Sequence, residues 1–342
     1  MKFRLKRKRW LIVSAILGFS AIIGLNALAY MHAHAMMHFT TGAVRTEEPE
    51  ALSLAQKVKT LICGISLPRS RSTEPPTILA PDCKNLTISV TNNITLGAWY
   101  CSGPPQSPLV ILFHGYGGNK TGTLPEARAF LELGASVLLV DFRGSGDSSE
   151  SYTTIGYEEA ADVASVVKYA RAQLHPSKII LYGQSMGAAA VLRAVHSLDV
   201  RPDGIIVEAV FDELLNTVRH RFEAMRVPSF PSAQLLVFWG GRQAGFNAFA
   251  HNPVDYARSV TCPILFFHGA ADPRARIAEA RRVFAAVPGE KSFEEFPELG
   301  HQAGIVRYRE QWFGAVKRLM QRVENQPSTA LMPRAAVAEA RS

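Results

Sequence analysis

Apolar residues fall along this chain in three rhythms. From Trp10 to Tyr30 they run almost unbroken, with no charge and only Ser14, Ser20 and Asn26 as polar side chains. About twenty such residues wound as a helix cross a hydrocarbon core of roughly 30 Å. Farther on, short apolar runs recur at 109–113, 137–140, 178–182, 204–207 and 263–267. Runs this short and this uniformly apolar read as strands of a parallel sheet buried on both faces. Between them the spacing turns helical: over 124–133, which Gly134 ends; over 158–174, where Val163, Val166, Val167, Ala170 and Leu174 share a face; and over 274–287. Residues 292–296 form a further strand candidate, and 86–91 with 94–100 read as an antiparallel hairpin around Asn92-Asn93. Strand and helix in alternation predict an α/β class: a doubly wound, mostly parallel sheet with helices on both faces, preceded by an N-terminal transmembrane helix.

The alternation breaks between about 212 and 260. That stretch carries Phe222, Met225, Phe230, Phe238, Trp239, Phe246 and Phe249, and Pro228 and Pro231 forbid one long helix. The predicted organisation is therefore a basic end at 1–9, a signal anchor at 10–31, a juxtamembrane segment and linker at 32–81, an α/β domain at 82–323 with this cap-like insertion, and a disordered tail at 324–342. Within the linker, 50–61 reads as a helix and 68–81 as a Pro, Ser and Thr-rich tether. His32, His34 and His38 with Met36 and Met37 read as an interfacial stretch rather than a metal site.

Charge changes the picture at one end only. Lys2, Arg4, Lys6, Arg7, Lys8 and Arg9 supply six of the eight net positive charges, so the basic balance reports membrane orientation and not a nucleic-acid surface. The basic end stays cytoplasmic by the positive-inside tendency, which puts the domain on the exported side. The apolar run exceeds the roughly 7 to 15 residues of a secretory signal, which favours an uncleaved anchor. Ala27-Leu28-Ala29 and Ala33-His34-Ala35 leave a cleaved, secreted form open. Cys83 and Cys101 bracket the hairpin, where antiparallel pairing would bring them close, and an exported domain permits a disulfide.

The candidate chemistry starts at Gly183-Gln184-Ser185-Met186-Gly187, which follows a strand candidate and opens a small-residue helical stretch. A strand, a turn crowded with glycines and a helix form the setting of a nucleophile elbow. A nucleophilic serine needs a base and a carboxylate to orient that base. Downstream, His268-Gly269-Ala270-Ala271-Asp272 follows a strand candidate, and Gly300-His301 follows another. Phe113-His114-Gly115-Tyr116-Gly117-Gly118 and Asp141-Phe142-Arg143-Gly144-Ser145-Gly146-Asp147 also follow strand candidates. These five motifs in this order resemble the α/β-hydrolase superfamily, in its broad group of esterases, thioesterases, lysophospholipases and serine aminopeptidases.

The resemblance implies Ser185 as nucleophile, His301 as base and then acid, and Asp272 as the orienting carboxylate. It also implies an oxyanion hole from the N–H groups of Met186 and Tyr116, and no metal or organic cofactor. The Tyr116 phenol is a further candidate for substrate contact. Glu208 and Asp212 compete with Asp272 for the acid, and Asp272 before Pro273 also suits a helix N-cap. His114, His268, Asp141, Arg143 and Asp147 read as structural. The expected function is hydrolysis of a carboxylic ester or thioester of a small-molecule or lipid-like acyl substrate, through an acyl-enzyme. The alternatives are an aminopeptidase or amidase on the same three residues, or a noncatalytic hydrolase-fold binding protein. The serine nucleophile counts against haloalkane dehalogenation, where similar enzymes use aspartate.

Overall fold

The computed structural model describes residues 2–42, 44–90 and 93–326. The side chains of 2–8, and with them most of the basic end, lie outside the described residues, as does the tail from 327. Eight strands make one sheet: β1 (Lys84–Ser89), β2 (Thr95–Cys101), β3 (Leu109–Phe113), β4 (Ser136–Val140), β5 (Ile179–Gln184), β6 (Gly204–Glu208), β7 (Ile264–Gly269) and β8 (Lys291–Phe296). Their spatial order is β1-β2-β4-β3-β5-β6-β7-β8. β1 and β2 form the expected antiparallel hairpin, with Ile88 opposite Leu96, and β2 pairs antiparallel with β4. Every other pairing is parallel. Cys83 and Cys101 are disulfide-bonded at the open end of this hairpin.

The helices are α1 (Lys2–Met37), α2 (Leu54–Cys63), α3 (Leu124–Glu132), α4 (Glu159–Tyr169), α5 (Met186–Ser197), α6 (Leu214–Met225), α7 (Ser232–Ala244), α8 (Pro253–Tyr256), α9 (Ile277–Ala286) and α10 (Arg309–Glu324). Strands β3 to β7 are apolar on both sides because helices cover both faces of the sheet. One face packs Val163, Val166, Ala188, Leu192 and Val283 against it; the other packs Phe130, Trp312, Val316 and Leu319. A third apolar cluster stands above the strand ends and joins α1 to the 212–260 insertion through Ala33, Met36, Phe211, Val218, Leu236 and Val237.

That third cluster is where the chain departs most from the expected layout. α1 does not stop near residue 31; it continues to Met37 and lays its last turns on α7. The Trp239 indole donates to Asn26 Oδ1 at 3.2 Å, and the Tyr30 and Trp239 rings meet edge to face at 5.5 Å. In the segment 32–81, expected as juxtamembrane and linker, the described residues after Met37 are pinned along the domain. Phe39, Leu52 and Leu67 are buried, the Phe39 N–H donates to the Ser151 carbonyl at 2.7 Å, and Arg69 reaches the carbonyls of Gly146, Ser148 and Glu150. Proline-rich composition reports a lack of regular structure, and an irregular segment can still be pinned by hydrogen bonds to its neighbours.

Candidate active site

Ser185 occupies the turn between β5 and α5 at φ 52° and ψ −109°, a conformation that an L-residue adopts only when its surroundings impose it. Two glycines make the turn possible. A Cβ on Gly187 would lie 2.4 Å from the Phe113 carbonyl oxygen, and one on Gly183 would lie 2.6 Å from the backbone of 187–188. The Ser185 N–H donates to the Glu208 carbonyl at 2.8 Å, which ties the turn to the end of β6. Met186 is the first residue of α5, so its N–H has no intrahelical acceptor.

His301 Nε2 stands 3.0 Å from Ser185 Oγ, and His301 Nδ1 stands 2.7 Å from Asp272 Oδ2. Folding thus brings together three side chains that lie 29 and 116 residues apart in sequence. Burial works to raise the Asp272 carboxyl, but the His301 ring and the N–H groups of Ala275 and Arg274 outweigh it and hold the carboxyl below its ordinary value. An ionised carboxylate only accepts, so Nδ1 carries the proton toward Asp272 and Nε2 is left to accept the serine hydroxyl. The two expectations for Asp272 are served by different oxygens: Oδ2 faces His301, while Oδ1 accepts from Arg274 N at 2.8 Å and Ala275 N at 3.0 Å. Those bonds close a turn rather than cap a helix, since α9 begins only at Ile277.

Neither competing acid touches His301. Glu208 accepts from Gly304 N at 2.5 Å and from the Tyr182 hydroxyl at 2.6 Å. It therefore braces the loop that carries His301. Asp212 is taken by Arg282, the Glu213 N–H and Asn216. Beneath the site, burial and then the charge of Glu208 push the Glu126 carboxyl up to about 8. The residues read as structural are occupied accordingly. His114 Nδ1 lies 2.8 Å from the Gly115 carbonyl while its Nε2 accepts the Phe142 N–H, and His268 Nε2 lies 2.7 Å from the Ala275 carbonyl. Lys120 is fully buried between Asp141 and Asp147, and Arg143 pairs with Glu158 and Asp162.

The loop after β3 passes beside the serine: a Cβ on Gly115 would lie 3.7 Å from Ser185 Cβ. Tyr116 stands among the residues lining the site's cavity, and its half-buried phenol donates to the Met36 carbonyl at 2.5 Å, which fastens α1 to the loop. Burial pushes that phenol up to about 12, despite the nearby Arg221 and Arg45.

Ser185, His301, Gly115 and Gln184 face a cavity of about 350 Å³. Opposite them stand Leu25, Leu28, Ala29, His32 and Met36 of α1, with Phe222 and Leu236 of the insertion and Leu61 of α2. Phe222 and Leu236 lie in the expected cap-like insertion, whereas the α1 and α2 residues were not expected in the site. The one legible signal was the spacing 25, 28, 29, 32 and 36, a single helical face, hidden in a segment that is apolar all round. Polar groups also reach the cavity: Arg45, Glu47, Glu48, Arg221 and Arg274. Arg274 pairs with Glu48 at 3.2 Å and with Glu50 at 3.0 Å, and Arg45 donates to the Gly117 carbonyl at 2.8 Å.

Comparison with known proteins bears on the fold. The model of the alpha/beta hydrolase fold family matches residues 108–225. The protein YqkD of Bacillus subtilis is 30% identical over 200 residues, which cover 56% of this chain and 65% of that protein, just under two thirds of its length. Protein bem46 of Schizosaccharomyces pombe is 23% identical over 251 residues, covering 71% of this chain and 79% of that one. Among solved structures, the Pyrococcus furiosus esterase Pf2001 matches with a TM-score of 0.62 at 24% identity, over 75% of this chain and 96% of that chain. Likeness at that identity carries fold, and the sheet order, the strained serine turn and the family match agree on it: this chain has the α/β-hydrolase fold.

Proposed function

We propose that the protein is a membrane-anchored serine hydrolase that cleaves a carboxylic ester or thioester through an acyl-enzyme. The observation that carries this reading is the continuous relay from Ser185 through His301 to Asp272, opening on a largely apolar cavity. Ser185 Oγ attacks the acyl carbon as His301 Nε2 takes its proton, and the imidazolium is held by the ionised Asp272. The N–H groups of Met186 and Tyr116 receive the negative charge on the carbonyl oxygen. Losing one such donor typically costs about a hundredfold to a thousandfold in turnover. His301 returns the proton to the departing oxygen or sulfur; water, deprotonated by the same ring, then releases the acid. Support for membrane attachment comes from one helix, Arg9–Met37, long and apolar enough to span a bilayer.

The cavity lining favours an acyl group over a free amine. An aminopeptidase needs unpaired acids to hold the substrate's ammonium, whereas here Glu47 and Glu48 share the lining with Arg45, Arg221 and Arg274. A screen of the full chain against p-nitrophenyl esters of several chain lengths, acyl thioesters and aminoacyl amides tests the reading. Ester or thioester turnover that disappears in Ser185→Ala is expected. Turnover of aminoacyl amides alone would replace the proposal with the peptidase alternative.

A further inference from the structure

The cavity wall formed by α1 belongs to the same helix that is built to cross a membrane, and its depth can be worked out. α1 is bare from residue 9 to residue 24, with Trp10, Leu17 and Ile22 at 74%, 65% and 61% exposure. If the hydrocarbon begins at the basic end, about twenty residues carry the helix across it, to about residue 29. Leu25, Leu28 and Ala29 then lie at the outer edge of the hydrocarbon, yet they also line the cavity below Ser185. The pairing of Tyr30 with Trp239 falls at the same level, where aromatic rings collect at a bilayer interface.

A second apolar surface lies beside this boundary. α2 leaves Leu54, Val58 and Ile62 exposed at 80%, 49% and 64%, one stripe at four-residue spacing. Neighbouring positions of α2 are engaged by the domain: Thr60 and Leu61 line the cavity, and Lys57 reaches the Ala224 carbonyl. α2 is fixed to α1 by His32 Nε2, 3.0 Å from the Leu61 carbonyl, and by the close approach of Gly64 to Ala35. Residues 32–35 stand about 5 to 9 Å beyond residue 29 along the helix. That is the depth at which an amphipathic helix rests in the headgroup boundary. Phe230 and Phe238 of the insertion add further exposed apolar area.

We propose that this face is docked on the membrane, with the α2 stripe seated in the lipid interface beside α1, and that the cavity takes the acyl chain of a membrane lipid ester directly from the leaflet. This rests on the hydrolase reading above and names its substrate class. In the reaction the Ser185 Oγ–acyl bond forms as the lipid's acyl–oxygen bond breaks. The serine proton passes by His301 to the lipid alkoxide, and water then yields the free fatty acid. The anchor is thereby part of the substrate chamber as well as a tether.

The full chain, reconstituted in vesicles of equal parts phosphatidylcholine and phosphatidylglycerol, is assayed for fatty-acid release and, in the same vesicles, for hydrolysis of soluble p-nitrophenyl butyrate. Wild type is expected to do both. Val58→Asp with Ile62→Asp is expected to lower fatty-acid release by about tenfold or more while butyrate hydrolysis stays within about twofold. In parallel, a fluorophore on the native exposed Cys63 of α2 is expected to be quenched by brominated lipid. Butyrate turnover without fatty-acid release in wild type, equal loss of both activities in the double variant, loss of neither, or an unquenched Cys63 label would overturn the proposal. Absence of butyrate turnover in wild type would instead strike the hydrolase reading and this one with it.

Discussion

At the strand-end wall of the cavity, hydrogen bonds from main-chain N–H groups fix the turns that carry the reacting side chains: Ser185 N to the Glu208 carbonyl, Ala271 N to the Leu299 carbonyl, and Gly304 N to the Glu208 side chain. The facing wall is assembled differently, from small and apolar side chains of α1, α2 and the 212–260 insertion packed on one another. Hydrogen-bonded turns hold reacting atoms to within tenths of an ångström, as proton transfer demands. Packed helices can exchange side chains of similar volume, so changes in that wall should alter what the cavity admits while leaving the strand-end groups in place. The comparison teaches that damage to the two walls should read out in different quantities.

The largest effect is expected at the nucleophile. Ser185→Ala should abolish labelling by a fluorophosphonate probe and lower ester turnover by about 10⁴-fold or more. Labelling that persists in the variant would remove Ser185 from its role and with it the distinction between the walls. Next comes the acid. Asp272→Asn should lower kcat by about 10³- to 10⁴-fold, because the wrong imidazole tautomer then faces the serine. Glu208→Gln, which still accepts from Gly304, should cost less than about tenfold. Steady-state kinetics of the pair decides between the two carboxylates; the reverse ranking would move the orienting role to Glu208.

Two smaller effects concern stability. Glu126 is held protonated in the folded state, so its favourable contribution is complete below the ordinary carboxyl value and is lost as pH rises through about 8. Glu126→Gln should therefore flatten the fall in Tm between pH 6 and pH 9, as read by thermal melts at both; an unchanged slope would refute it. Asp272 has the opposite sign, since its lowered value lends stability above the ordinary carboxyl range and loses it as pH falls through the folded value. The smallest effect is expected at the seam between the walls. Tyr116→Phe deletes the bond to the Met36 carbonyl and should cost about 1 kcal/mol, lowering Tm by a few degrees and raising KM more than it lowers kcat. A loss confined to kcat would place Tyr116 with the chemistry instead.

Much of the strand-end wall was legible before folding. The strands at 109–113 and 263–267 are apolar on both sides because they are buried on both faces, and a serine between close glycines can serve only a turn with no room for a Cβ. Asp272 was favoured over Glu208 by the resemblance alone; local pattern left both open. Both follow strands, and only the approach of His301 Nδ1 to within 2.7 Å of one of them separates the two. How closely the linker in 32–81 holds to the domain was not legible, because its bonds go to partners far along the chain, such as Phe39 to Ser151 and Arg69 to Gly146.

By itself, then, the order of residues determined the sheet, the serine turn and the existence of a helix that can cross a bilayer. Each depends on neighbours within a few positions, where periodicity and steric limits act. Tertiary structure alone settled the contact between Asp272 and the imidazole and showed that α1 runs on to Met37 and walls the cavity. Those outcomes depend on distances between segments separated by tens to hundreds of residues, and no local pattern encodes them.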